Sequence, residues 1–358
     1  MEIYVKLSGM SSDHCGKEKK DFKLMGIKKT AAIEQVLGEK HIHDDSVDEL
    51  MPQYILANQE MLKEIGGEAA WNALDEAAQK ELKSEMLQKL TADLGKDAFE
   101  KLSDQEKQIF KLFIWVGCGC HKDLNTVLGG YIALTKFWEE NELEPPILLP
   151  NKFNAAVIND AIATGSDNDA TLTATHRAAQ NSSRGAIKAT KLAGDILNNK
   201  NDKSGHHDQF HIWWQEKVGN DFTFPDTSNT RFQSHCLASA ALIMDHDQFI
   251  AYLEYAKGRK DKVRFSHMEQ NLWKALHDVP TRTEFAVMAL YSQAVSLPYM
   301  KTICGDPPLN ALDLGPLNKK IGLFMDHIID DPTFLAGNNV SHEKGTFDRT
   351  PWNSKEVI

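Results

Sequence analysis

The chain has 358 residues, of which 42% are hydrophobic and 25% charged, with 40 Lys+Arg against 51 Asp+Glu for a formal net charge of −11. That length supports a large core and two or three domains, and the acidic balance argues against a surface coated uniformly with nucleic acid. No uninterrupted apolar run approaches the roughly 20 residues that cross a bilayer, and five cysteines, an odd number, argue against a disulfide framework and for an intracellular, reducing compartment.

Glu2–Gly9 alternates in the manner of a strand, with Ile3, Val5 and Leu7 on one face, rather than as a secretory signal. Ser11-Ser12-Asp13-His14 follows, and a lysine-rich helix opens at Cys15. Asp13 therefore stands where a strand end passes into a helix. Such a position holds a carboxylate rigidly at an open mouth, and it serves equally as a helix N-cap.

From about Asp44 the pattern is helical. Met51, Tyr54, Ile55, Met61, Leu62 and Ile65 follow a 3.6-residue period that Gly66-Gly67 closes, and Glu68–Leu94 is rich in helix formers. Residues 31–110 hold much of the acid. Ser103-Asp-Gln-Glu106 has capping-box spacing, and its helix should run through the apolar stretch Ile109–Val116 into a buried position ahead of the central motif. That motif is Val116-Gly-Cys-Gly-Cys-His-Lys-Asp-Leu-Asn-Thr-Val-Leu-Gly-Gly130. If helical, it places Cys118, His121 and Asn125 on one face. A thiol, an imidazole and an amide converging in this way look like a site, and they read equally well as small buried groups around a core histidine.

Another helix is expected after Gly130 through Trp138, then an extended Ile147–Leu149, then helices over Ala155–Ala163 and Thr175–Asn198. His207–Val218 and the apolar Leu237–Met244 segment follow, with further helices at about 246–257, 267–277 and 282–297 and a stop at Gly305-Asp-Pro-Pro. Two basic clusters stand out, Arg177/Arg184/Lys188/Lys191 and Lys257/Arg259/Lys260/Lys262/Arg264. Each permits a nucleic-acid contact and reads equally as a solvated helix end. Metal readings are also open. His206, His207, His211 and Asp208 could share a face, and Cys118, Cys120 and His121 with Cys15 or His14 could form a zinc site. No Walker, dinucleotide or Gly-x-Ser-x-Gly motif is present.

Three segments taken in order carry a resemblance: the strand ending at Asp13, Cys118-Gly-Cys-His121-Lys-Asp-Leu-Asn125, and Thr230-Arg-Phe-Gln-Ser234. Together they resemble the core of hAT-type and related cut-and-paste transposases, which have an RNase H-like catalytic fold. Met10-Ser-Ser-Asp-His, Pro225-Asp-Thr-Ser-Asn-Thr-Arg and Asp313-Leu-Gly-Pro-Leu extend the likeness to a group of fungal transposon-derived proteins.

The resemblance implies a mainly α protein, a large helical domain attached to a small α/β, RNase H-like remnant. The expected divisions are a strand-turn-helix remnant over 1–30, an acidic helical insertion over 31–108, a helical body over 109–330 and an irregular tail over 331–358. It implies catalysis by Asp13 and Glu284, with Asp13 as a ligand of Mg²⁺, in a mechanism where carboxylates hold a metal pair about 3.5–4 Å apart. Cys118, His121 and Asn125 would lie near that site. Arg231, Phe232, Lys257, Arg259 and Lys260 would meet DNA, Phe232 standing where the family usually has Trp and offering a smaller ring to stack on a base. The first catalytic Asp has no counterpart, so the expectation is a fragment or decayed copy, inactive by itself. The alternative is a non-catalytic DNA-binding or protein-interaction module. Self-association stays open, as does a nuclear address, because Gly258 and Asp261 interrupt the Lys257–Arg264 run.

Overall fold

A computed structural model describes residues 2–12, 16–165, 169–200, 205–227, 233–307, 309–310, 313–337 and 340–352. The protein is mainly helical and divides into two compact units, Met1–Cys118 and Gly119–Ile358.

The first unit runs α1 (Glu2–Lys6), β1 (Gly9–Ser12), α2 (Gly16–Asp44), α3 (Val47–Glu64), α4 (Glu68–Asn72), α5 (Glu76–Glu100), α6 (Asp104–Lys111) and β2 (Ile114–Gly117). The expected strand over Glu2–Gly9 is corrected here. Those residues open as a helical turn, and the strand begins where the expected one ends. The buried Lys29 accounts for the turn, because its ammonium donates to the carbonyls of Val5 (3.3 Å) and Leu7, which a short helix leaves without internal partners.

β1 and β2 pair in parallel, Gly9 opposite Ile114 and Ser12 opposite Gly117, and Cys118 N–H extends the ladder to Ser12 O at 2.8 Å. The apolar stretch before the motif is therefore not one buried helix. α6 has the capping box at Ser103 and Glu106, but it ends at Lys111, and the Ile-Trp-Val sequence goes extended, as β-branched and aromatic residues favour. Phe113 and Trp115 stack on Phe22 of α2 at 4.9 and 5.4 Å, while Ile109 and Leu112 remain exposed.

The core of this unit is the α2–α5 pair. A Cβ at Gly38 would lie 1.8 Å from Thr91 O, and one at Gly95 would lie 1.6 Å from Glu34 O. Each helix thus presents a glycine to the backbone of the other, a use that offsets the roughly 1 kcal/mol a mid-helix glycine costs.

The second unit begins with α7 (Gly119–Glu140), which runs straight through Gly129-Gly130 without the expected interruption. Then come β3 (Leu148–Leu149), α8 (Lys152–Thr164), α9 (Asp169–Gln180), β4 (Ser183–Arg184), α10 (Gly185–Leu197), α11 (His207–Lys217), α12 (Ser234–Met244), α13 (His246–Gly258), α14 (His267–His277) and α15 (Val279–Tyr291). A π-helical turn, Ser292–Ser296, leads into α16 (Leu297–Ile303), and α17 (Leu314–Asp330) and α18 (His342–Gly345) complete the order. The single helix expected over Thr175–Asn198 is split, because Gly185 takes φ +76° and turns the chain between α9 and α10.

α10 is the centre of this unit. Small residues such as Ala186, Ala189 and Ala193 let α12, α14 and α15 approach it, and Leu192, Ile196 and Leu197 fill the remaining space. Phe210, Trp214, Phe249 and Tyr252 build an aromatic wall beside it, with ring centroids 4.9–5.9 Å apart for Phe210 against the other three.

Candidate functional site

The helix that carries the central motif, α7, leads to the most polar part of the second unit's core. Asp123, 3% exposed, lies on the inward side of its first turns. Ser296 Oγ donates to Asp123 Oδ2 at 2.8 Å, Tyr291 OH reaches Oδ1 at 3.5 Å, and Gln233 Nε2 donates to Ser296 Oγ at 3.0 Å. Burial raises the Asp123 carboxyl above its ordinary range, and the Ser296 and Tyr291 hydroxyls only partly oppose that. Next to it, burial and, less strongly, the nearby Asp123 carboxylate push the Cys236 thiol up to about 12, which disfavours the thiolate.

The π turn that delivers Ser296 has a sequence cause. Pro298 has no N–H to give to the carbonyl four residues back, so the helix cannot continue regularly there. That carbonyl, Ala294 O, accepts instead from Phe347 N–H at 3.1 Å. Gln233 reaches Ser296 from the residue before α12, with φ +62°. The network therefore joins α7, which carries His121 of the central motif, to Gln233 at the start of α12.

A second buried carboxylate, Glu284 on α15, is 1% exposed. Trp138 Nε1 donates to Oε1 at 2.9 Å and Ala186 N–H to Oε2 at 2.7 Å. Glu284 so caps the N-terminus of α10 and gains from the dipole there. A Cβ at Gly185 would lie 2.2 Å from Oε2, so the glycine serves this contact as well as the turn. Burial raises the Glu284 carboxyl, while the two N–H donors work the other way. Each of its oxygens accepts one hydrogen bond from within the second unit, which gives the carboxylate a role in packing.

The remaining sequence candidates fall in different places. Asp13, with His14 and Cys15, and Arg231 with Phe232 lie outside the described residues. Cys118 closes the β ladder, His121 is half-buried in the first turn of α7, and Asn125 is exposed one turn on. Gly119 of the same motif packs against α16, where a Cβ would meet Ile303 Cδ1 at 2.8 Å. Among the described residues no group of three or more His, Cys, Asp and Glu could hold a metal ion. The Mg²⁺ pair implied by the resemblance thus has no fitting carboxylate set among them.

Three of the five residues of the Lys257–Arg264 cluster are engaged within the chain, while Lys262 and Arg264 are exposed. Lys260 pairs with Glu269, Lys257 lies 2.9 Å from Glu254 and 4.6 Å above the Phe265 ring, and Arg259 donates to Tyr255 OH at 3.0 Å. Glu269 is 3% exposed and also meets His206 Nε2 at 2.9 Å and Ser266 N–H at 2.8 Å. Burial alone would raise its carboxyl, but the His206, Lys260 and Ser266 bonds outweigh it and bring it down to about 2.

Sequence reasoning missed Asp123, Gln233 and Ser296. Asp123 sits inside the central motif between Lys122 and Leu124, where its neighbours are the more conspicuous groups. Pro298 is the one signal for an irregular turn at Ser296. Searched against protein families, curated proteins and solved structures, the chain matches none.

Proposed function

We propose that this protein is a non-catalytic DNA-binding module of transposon origin, its short parallel strand pair a remnant of an RNase H-like sheet. The observation that carries the DNA-binding part is the outer face of α2. Lys17, Lys20, Lys23 and Lys28 are exposed there, with Lys19 exposed to one side of it, against two half-buried acids, Glu18 and Asp21, in the same stretch. Helical spacing puts Lys17, Lys20, Lys23 and Lys28 on the side away from the packed residues Phe22, Lys29 and Ile33. Lys17, Lys19, Lys20 and Lys23 meet no carboxylate in an ion pair among the described residues, unlike Lys257 and Lys260. A row of unpaired ammonium groups on one helix face is the footprint of a phosphate backbone contact.

The non-catalytic part is supported by the two buried carboxylates, which hold helices together. The test is nicking of supercoiled plasmid with and without Mg²⁺, beside binding of labelled duplex. The reading expects binding without nicking. Metal-dependent nicking that is lost in Asp13→Ala would replace it with an active nuclease.

A further inference from the structure

The first unit has a feature that DNA binding does not use. α3 is 18 residues long, yet Met61 is its only buried residue among those described. Val47, Met51, Ile55 and Leu56 are 46–70% exposed, far more apolar surface than a solvated helix needs. Between α3 and α5 runs an open groove of about 330 Å³. Its floor is apolar, with Met61, Leu82, Met86 and Leu90, and its edge carries the exposed Leu56 together with Glu60, Glu64, Glu85 and Asp93 against the single Lys89. Lys89 lies 3.9 Å from Glu64 and Lys96 lies 3.4 Å from Asp93, whereas Glu60 and Glu85 meet no cation among the described residues.

We infer that this groove docks an amphipathic helix of a partner protein, apolar on one side and rich in Lys or Arg on its flanks. The shape follows from the two helices that line it, since a third helix laid along them would bury its stripe against both. The sign follows from the rim. A basic flank finds carboxylates on both walls, while an acidic helix, an acidic lipid surface or nucleic acid would meet like charge. Two methionines at the floor give a surface that adapts to different apolar stripes. Of the four exposed apolar residues named on α3, Leu56 lines the groove, whereas Val47, Met51 and Ile55 point away from it by helical spacing.

The test uses the full chain and a fluorescein-labelled helical peptide built from Leu and Lys, with Leu at i, i+3, i+4 and i+7. Two controls are the same composition in scrambled order and the same order with Glu in place of Lys. Anisotropy should rise for the ordered Lys peptide, and binding should weaken about tenfold or more for either control, as expected when both an apolar stripe and charge complementarity contribute. Leu56→Asp, at a position 61% exposed, and the double change Glu60→Lys with Glu85→Lys should each give a similar loss with an unchanged thermal midpoint. Equal binding of the scrambled peptide, indifference to both variants, or no binding would overturn the inference. So would a dimer of the chain alone that Leu56→Asp dissolves, because the groove would then belong to a second copy.

Discussion

Ser296 donates its hydroxyl to Asp123 at 2.8 Å across 173 residues of sequence, and this bond ties the π turn after α15 to the motif helix α7. The pair belongs to the packing of the second unit, because a buried carboxylate with two hydroxyl donors orders three elements at once. Asp123→Asn keeps an acceptor for Ser296 and removes the buried charge, so it should change stability by less than about 1 kcal/mol. Asp123→Ala leaves Ser296 and Tyr291 without their acceptor and should cost about 2–3 kcal/mol. Urea midpoints of the two variants check the order.

Glu284 invites a direct comparison of roles. If it holds α10, Glu284→Gln turns an amide N–H toward one of two N–H donors and should lower stability by about 2–4 kcal/mol. A residue serving only chemistry would tolerate Gln with no change in thermal midpoint. The midpoint of Glu284→Gln against the parent chain decides between them.

The Glu269 cluster sets an acid limit. Its carboxyl falls from 4.5 to about 2 on folding, so the unfolded chain binds the proton more readily. The stability it contributes, about 3 kcal/mol at most, is present above pH 4.5 and is lost as pH falls from there toward 2. Asp123 and Glu284 act with the opposite sign, since their raised carboxyls are relieved by acid. Glu269→Gln should therefore lower stability at pH 6 and show a shallower loss between about pH 4.5 and 2.5. Denaturant titrations at those pH values measure both effects.

Much of the helical pattern was legible in the chain. The capping box at Ser103, the Gly66-Gly67 stop and the helices near 246–257 and 267–277 follow from local chemistry that needs no tertiary partner. The N-terminal strand was misplaced because alternation over Glu2–Gly9 carries no information about Lys29, which is 22 residues from Leu7 and supplies the donor that favours the turn. The helix over Thr175–Asn198 was overextended because Gly185 is a breaker only in view of Glu284, which lies beside it in space and not in sequence. The Asp123 site was illegible for a similar reason. A Ser, a Gln and an Asp at ordinary spacings become one network only after α7, α12 and the π turn have packed.

The glycines of the first unit give a sharp contrast with those of the second. Gly38→Ala places its Cβ against Thr91 O and Gly95→Ala against Glu34 O, so the α2 and α5 backbones must separate. Each should cost about 2–3 kcal/mol despite the better helix propensity of Ala. Gly129→Ala, within α7 and facing open space, should instead stabilise by about 0.5–1 kcal/mol. Thermal midpoints of the three variants should shift in those directions.

The lysine face of α2 is tested most directly by the salt dependence of duplex binding. Labelled duplex DNA is titrated with the full chain between about 50 and 200 mM salt, and log K is plotted against log salt, expected to fall linearly. Replacing Lys17, Lys20 and Lys23 with Gln should weaken binding and flatten the slope by about 3, roughly 0.9 for each phosphate that is no longer neutralised. Lys257→Gln with Arg259→Gln, whose side chains are already engaged, should leave the slope within experimental error. No binding at the lowest salt, or a slope unchanged by the three lysine substitutions, would contradict the account.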